Sequence, residues 1–243
     1  MAHLYIDEDL DDAKVGDIVS LTKAEARHAV TVSRLKVGET ISIGNGAGLV
    51  VSGTIITAEH TELSIEVLEA ERTPRSAPAV FLAQALAKAD RDELAVQVAT
   101  ELGIDGVIPW SAARSISRWQ GPKVAKGRDR WAAIVREASK QSLRTWLPDV
   151  LDLVTTKQLA TFASSTRMLV LEPTASQTLA ELEVDDRDIV LVVGPEGGVA
   201  DHELELLTAA GASTVRLGNE VLRTSTAGPA ALAVLNVKLG RWG

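Results

Sequence analysis

The sequence predicts an α/β chain in two parts, a small β-rich domain over residues 1–72 and a larger domain with a mainly parallel sheet over 73–243. Three observations carry this. Residues 188–198 read DIVLVVGPEGG, an unbroken apolar run that ends on a glycine loop. A short run of that kind is how a strand buried on both faces reads, usually at the centre of a parallel sheet. Short strands bounded by turn residues fill residues 1–72, and after the polar, two-proline stretch 71–78 the pattern becomes strand–helix–strand.

In the first part the candidate strands are 4–6, 17–21, 40–43, 49–57 and 62–68, with one helix over 23–35. Asn45-Gly46 lies between two of them and marks a hairpin, because both turn positions tolerate positive φ. Several short strands with one helix predict a small barrel, OB-like or PUA-like. In the second part 79–86 is a strand. Asp90-x-x-Glu93 reads as a capping box opening a helix that Gly103 stops. A strand over 107–109 follows, then a helix over 127–144, then strands at 149–154, 168–171 and 189–193. Asp201 reads as the cap of a helix reaching Ala210. A strand at 214–217 precedes a final helix whose small residues make it thin, with Pro229 placed in its first turn.

Composition narrows the function. The 243 residues contain no cysteine, which excludes disulfides, a thiol nucleophile and Cys-ligated zinc. His3, His28, His60 and His202 lack metal-ligand spacing, so no metal is expected. No apolar run reaches the length of a membrane span and the N-terminus is acidic, so a cytoplasmic protein away from membranes is expected. The net charge is −8, yet residues 114–144 hold nine basic and two acidic residues. On a helical wheel Trp131, Ile134, Val135, Ala138 and Ser142 share one face. Arg130, Arg136, Lys140 and Arg144 share the other, with almost no acid to pair them. That face reads equally as solvated surface and as a nucleic-acid surface. Trp119, Trp131 and Trp146 are candidates to stack on bases, with core packing favoured for Trp131.

GxxxxGK[ST], GxSxG and HExxH are absent, and residues 194–199 do not fit GxGxxG. What remains are two glycine-bearing loops, each after a late strand, near Gly194 and near Gly218. A parallel sheet can bring both to one crevice, where backbone groups read an adenine edge between apolar walls from Leu217, Val221 and Leu222; taken singly, each loop reads at least as well as a tight turn.

Together LVVGPEGG (191–198) and LGNEVLRTSTA (217–227) resemble the two cofactor loops of the RsmE family, 16S ribosomal RNA (uracil-N3) methyltransferases of the SPOUT superfamily. His28 and Arg34, Thr100-Glu101-Leu102-Gly103, Pro109, Arg114-Ser115, Arg130-Trp131, Glu137-Ala138 and Gln141-Ser142 follow in the family's order. The resemblance implies a PUA-like β-barrel, a SPOUT-type α/β domain with a trefoil knot, a homodimer, and S-adenosyl-L-methionine as cofactor. It implies that Leu171, Glu172, Gly194, Pro195, Glu196, Gly197, Gly198, Leu217, Gly218, Asn219, Val221, Leu222 and Arg223 hold the cofactor. RNA contacts are expected from His28, Arg34, Arg114, Arg118, Arg130, Arg136, Lys140 and Arg144. The implied substrate is the small ribosomal subunit, at N3 of uridine 1498 in its 16S rRNA. Uracil N3 must lose a proton before it attacks, so Arg223 is assigned to stabilise the anion. Glu196 and solvent stand equally as proton acceptor. Two residues depart from the family pattern: Ser225 replaces a commoner Glu, and Ser33 replaces a Leu, a change expected to affect packing only. The alternatives are a non-catalytic RNA-binding or ribosome-assembly protein with a decayed pocket, and a nucleotide-dependent enzyme acting on a small substrate.

Overall fold

A computed structural model describes residues 4–242, and His3 lies outside them. The chain divides into two compact units: the residues up to Arg75 joined by Ser139–Leu147, and residues 76–138 joined by 148 onward.

The first unit holds β1 (Leu4–Ile6), β2 (Ile18–Thr22), α1 (Lys23–Arg27), β3 (Thr40–Gly44), β4 (Leu49–Ala58) and β5 (Glu62–Arg72). Their sheet order is β1-β3-β4-β5-β2, with β1 parallel to β3 and the other pairs antiparallel. Along β4 buried and half-buried residues alternate, so one face carries Leu49, Val51 and Ile55 into a core with Ile43, Leu63 and Ile65. The Asn45-Gly46 turn forms as expected: Asn45 Oδ1 accepts the N–H groups of Ala47 (2.8 Å) and Leu49 (3.0 Å), and Gly46 takes φ +69°. The helix expected over 23–35 is shorter, α1 running into a π-helical turn at His28–Val32.

Ser139–Leu147 is built into this unit, which local pattern does not foresee. The Leu147 N–H donates to Gly46 O (2.9 Å), the Gly48 N–H to Thr145 O (3.0 Å), and Trp146 Nε1 to Thr73 O (2.8 Å). The Trp146 ring leaves no room for a Cβ at Gly48 and carries the Arg75 guanidinium 5.6 Å from its centroid. Trp146 is therefore engaged within the fold.

The second unit contains β6 (Val80–Ala85), α2 (Arg91–Glu101), β7 (Gly106–Ser111), α3 (Pro122–Gln141), β8 (Asp149–Val150), β9 (Val154–Thr155), α4 (Thr156–Phe162), β10 (Arg167–Leu171), β11 (Ile189–Val193), α5 (Asp201–Ala209), β12 (Ser213–Val215) and α6 (Thr224–Lys238). The sheet order is β12-β10-β11-β6-β7-β8, with β9 also on β7, and every pairing is parallel. All five residues of β11 are buried, because the strand has a layer on each side. Leu191 and Val193 face a core with Val96 of α2, Trp131 of α3 and Leu232 of α6. Val190 and Val192 face Leu159 of α4 and Leu207 of α5. This is the parallel α/β sheet expected from the alternation, with helices on both faces.

Several local expectations are corrected. Asp90 forms no capping box: it and Ala89 take φ of +57° and +54°, and its side chain caps nothing. The α5 cap is Ala200 rather than Asp201, because the Glu203 carboxylate reaches back to the Ala200 N–H at 3.3 Å. That carboxylate is buried and also accepts from the Ala113 N–H (2.9 Å) and Thr156 Oγ1 (2.6 Å). The helix expected over 127–144 runs instead from Pro122, a residue tolerated in a first turn, to Gln141. Pro229 lies beyond the first turn of α6, since that helix already begins at Thr224. Residues 149–154 form two short strand pieces, and α4 was not anticipated. No described helix is long and apolar enough to cross a membrane.

Candidate active site

The carboxyl ends of β10, β11 and β12 open on one cavity of about 350 Å3 in the second unit. The loop after β11 contributes Gly194, Pro195, Glu196 and Gly198. The segment after β12 contributes Leu217, Gly218, Val221, Leu222 and Arg223, and Leu171 and Glu172 at the end of β10 complete the wall. The two bends singled out in the sequence thus form a single crevice where ligands of parallel sheets bind. Gly197 and Asn219 are on the same loops but outside the cavity lining.

Backbone geometry explains the glycines. A Cβ at Gly194 would sit 3.0 Å from the Val199 nitrogen, where the loop returns on itself. Gly198 takes φ +73° and closes the turn with its N–H on Pro195 O at 2.9 Å. Arg114 holds the loop from outside, donating to Gly197 O (3.2 Å) and Val199 O (3.1 Å). The two bends are also joined through the core. Buried Gln84 donates from Nε2 to Thr224 Oγ1 at 2.8 Å, and that hydroxyl donates to Gly194 O at 2.8 Å.

Glu196 is fixed over the cavity. Its Oε1 accepts from the Lys88 N–H (3.1 Å) and from Arg91 Nη1 (3.4 Å), while Oε2 is buried without a hydrogen-bond partner. Arg223 is exposed at the cavity wall as the N-cap residue of α6, and its side chain makes no hydrogen bond or ion pair with the described residues. Sequence reasoning missed Arg91, Arg216, Glu220 and Thr224, which also line the cavity. Of these Glu220 and Thr224 stood inside a recognised motif, and Arg91 and Arg216 did not.

The basic helix differs from its expectation. Arg130 Nη2 pairs with Glu93 at 2.8 Å and Arg128 with Asp152 at 3.2 Å. Lys140 is corrected as an RNA contact: it is 8% exposed, 3.2 Å from Glu25 and 5.7 Å from the Tyr5 ring centroid. The cause is that residues 139–147, which include the last three of α3, belong to the first unit together with Tyr5 and Glu25. Arg136 and Arg144 have partners of their own. Arg118 is turned to the Ala112 and Ala113 carbonyls at 3.0 and 2.9 Å. Trp131 is core, as expected, at 1% exposure. In the first unit Arg34 is exposed with φ +57°. His28 is half-buried beside Tyr5, with Nδ1 lacking a partner. Ser33 does more than pack, since its Oγ accepts the Tyr5 hydroxyl at 3.0 Å. Ser225 is buried near the start of α6. Among the described residues no group of three or more His, Cys, Asp or Glu is placed to hold a metal.

Residues 74–236 match the family model described as an RNA methyltransferase domain, and 21–68 match an RNA methyltransferase PUA domain. A protein of Mycobacterium bovis named ribosomal RNA small subunit methyltransferase E is 38% identical over 100% of this chain and 94% of its own length. The chain belongs to the ribosomal RNA small subunit methyltransferase E family. The Bacillus subtilis member is 31% identical over 89% of each chain. Among solved structures, the Neisseria gonorrhoeae member of this family, bound to S-adenosyl methionine, superposes with a TM-score of 0.88 at 28% identity, covering 98% of each chain. A methyltransferase of Legionella pneumophila in complex with the same cofactor gives 0.88 at 28% identity over the same coverage. Family membership, the RNA methyltransferase activity and the two-part fold expected from the motifs are met.

Proposed function

We propose that this chain transfers the methyl group of S-adenosyl-L-methionine to N3 of a uridine in small-subunit ribosomal RNA, uridine 1498 of 16S rRNA being the position implied by the family. The observation that carries the reading is the single cavity beneath the 194–198 and 217–223 loops, at the carboxyl ends of parallel strands. Its residues suit the cofactor. Leu171, Leu217, Val221 and Leu222 supply apolar walls, the glycine bends bring backbone groups to the surface, and buried Glu196 Oε2 is an acceptor in want of a donor. When bound, the cofactor supplies a methyl group already activated on a sulfonium.

The chain's own work is positioning and charge. Uracil N3 lies on the Watson–Crick edge, so the target base must be unpaired or extruded. Arg223, cationic and unpartnered at the wall, stabilises the negative charge that reaches O2 or O4 as N3 loses its proton. That proton goes to Glu196, whose Oε1 is held by Lys88 and Arg91, or directly to solvent. RNA is drawn by Arg34 and by exposed Lys123 and Lys126 at the start of α3, with Arg130, Arg136 and Arg144 contributing despite their partners. The reading carries with it a homodimer, a trefoil knot in the C-terminal domain and a cytoplasmic site of action. Exposed Val221 and Val237 are natural contacts for a second copy.

The test is methyl transfer from labelled cofactor to small subunits lacking the modification, with mapping of the product base. Arg223→Ala is expected to lose about 100-fold or more in kcat with the fold intact. Absence of both cofactor binding and transfer supports the non-catalytic RNA-binding alternative with a decayed pocket instead, and a product at another base or atom refutes the assigned position.

A further inference from the structure

A second cavity, also of about 350 Å3, adjoins the 88–92 stretch. Residues of that stretch divide between the two cavities. Arg91 lines the first, while Lys88, Asp90 and Asp92 line the second. The Lys88 N–H on Glu196 Oε1 ties this stretch to the cofactor loop at 3.1 Å.

The second cavity has a rigid aromatic wall. Trp119 lies against the backbone of α3 at Gly127, where any Cβ would collide with the indole. It meets buried Trp131 edge-on, with ring centroids 5.4 Å apart at 77°. It stays partly exposed, and lines the cavity with Ser117. A fixed ring of this kind is the stacking platform on which single-stranded nucleic acid lays a base.

The polar groups around it are sorted. The Asp92 carboxylate is satisfied by the N–H groups of Ala87 (3.3 Å) and Glu93 (3.0 Å). Glu93 is taken by Arg130. The Asp90 carboxylate and the Lys88 ammonium are exposed and make no side-chain bond with the described residues. Asp90 is held there by two successive left-handed residues, neither a glycine, a strained conformation of the kind that collects at binding sites. A free acceptor beside an aromatic wall selects a base that carries an exocyclic amine, and the free ammonium suits the backbone phosphate.

We propose that this cavity receives an unstacked, amine-bearing nucleobase of the RNA strand next to the base that enters the cofactor cavity, stacked on Trp119 and hydrogen-bonded to Asp90. This rests on the reading of the chain as a methyltransferase acting on ribosomal RNA. The 88–92 stretch lines both cavities, Arg91 on the first and Lys88, Asp90 and Asp92 on the second, which makes them neighbours along one strand in this proposal.

Steady-state methyl transfer to unmodified small subunits tests it. Trp119→Ala is expected to raise KM for the subunit at least tenfold, with KM for S-adenosylmethionine changed less than twofold, and Trp119→Phe is expected to restore most of the loss. Ser117→Phe, which fills the cavity and leaves both tryptophans in place, is expected to raise the same KM, so the result does not hang on a variant that removes a ring from the core. Asp90→Asn is expected to weaken subunit binding by a smaller factor. A subunit KM within twofold of the unaltered protein in both Trp119→Ala and Ser117→Phe overturns this assignment and leaves the methyltransferase reading standing. Absence of transfer by the unaltered protein overturns that reading and this one with it.

Discussion

Replacing Thr224 by Val tests whether the two cofactor bends are clasped through the core. The change keeps the side-chain shape and removes one hydroxyl. That hydroxyl accepts from Gln84 Nε2 and donates to Gly194 O, both at 2.8 Å, and Gln84 is fully buried. Gln84 Nε2 would keep only Ala85 O, at 3.2 Å, and the Gly194 carbonyl would lose its hydroxyl donor. A buried polar group left unpaired costs about 1–3 kcal/mol, so losing both bonds should lower the unfolding free energy of the second unit by about 2–4 kcal/mol. Urea unfolding followed by tryptophan fluorescence reads this, since Trp110 and Trp131 are buried in that unit. The cofactor loops should also lose their register, and a loss of ~1.4 kcal/mol in binding would appear as a tenfold weaker Kd for S-adenosylmethionine. Thr224→Ser keeps the hydroxyl and should fall near the unaltered protein on both measurements. A valine variant within about 0.5 kcal/mol of the unaltered protein and with unchanged cofactor affinity would refute the clasp.

Three further outcomes are expected. Gly228→Ala places a Cβ 2.8 Å from Leu82 Cδ1 and 3.4 Å from Val193 Cγ2, so overpacking should cost about 1–3 kcal/mol in thermal unfolding, where an unchanged midpoint would show that α6 can shift. Asp105→Ala strips half-buried Arg241 of a carboxylate at 2.8 Å and the Val80 N–H of its buried acceptor, and should cost about 3–5 kcal/mol by the same measurement. The Arg187 guanidinium beside Asp185 holds that carboxyl down to about 2. Because the folded value is depressed, any stability it contributes is present above the ordinary carboxylate range and is lost as pH falls through about 2. Carboxyl NMR should find Asp185 titrating there, and Arg187→Gln should move it toward about 3.9; an unmoved titration contradicts the pairing.

What the sequence disclosed followed physical range. The central strand was readable because burial on both faces leaves an unbroken run from Ile189 to Val193, and the bends because Gly194 and Gly198 meet conditions other residues satisfy poorly. That both bends share a cavity was an inference from parallel topology, and the chain path supplied it. The acids that pair the basic face of α3 are remote in sequence: Glu93 lies 37 residues from Arg130, and Glu25 lies 115 residues from Lys140. A helical wheel sees only its own helix. Residue type alone points to Asp201 as the cap, whereas the Glu203 carboxylate reaches Ala200 and, across the fold, Ala113 and Thr156. The short polar helix Thr156–Phe162 carries no proline or glycine boundary, and its capping box of Thr155 with Gln158 passed unnoticed. The wall formed by Arg91 gave no signal, since it depends on how residues 88–91 meet Glu196.

The claim on which all of this rests is that the two bends make one cradle for a methyl donor. Calorimetric titration of S-adenosylmethionine into the intact chain and into two variants, Gly198→Val on the first bend and Leu222→Asp on the second, tests it most directly. Saturable heat at one site per chain, lost in each variant while the circular dichroism stays unchanged, is the result expected. No heat from the intact chain, or heat that survives alteration of either bend, would contradict the shared cradle.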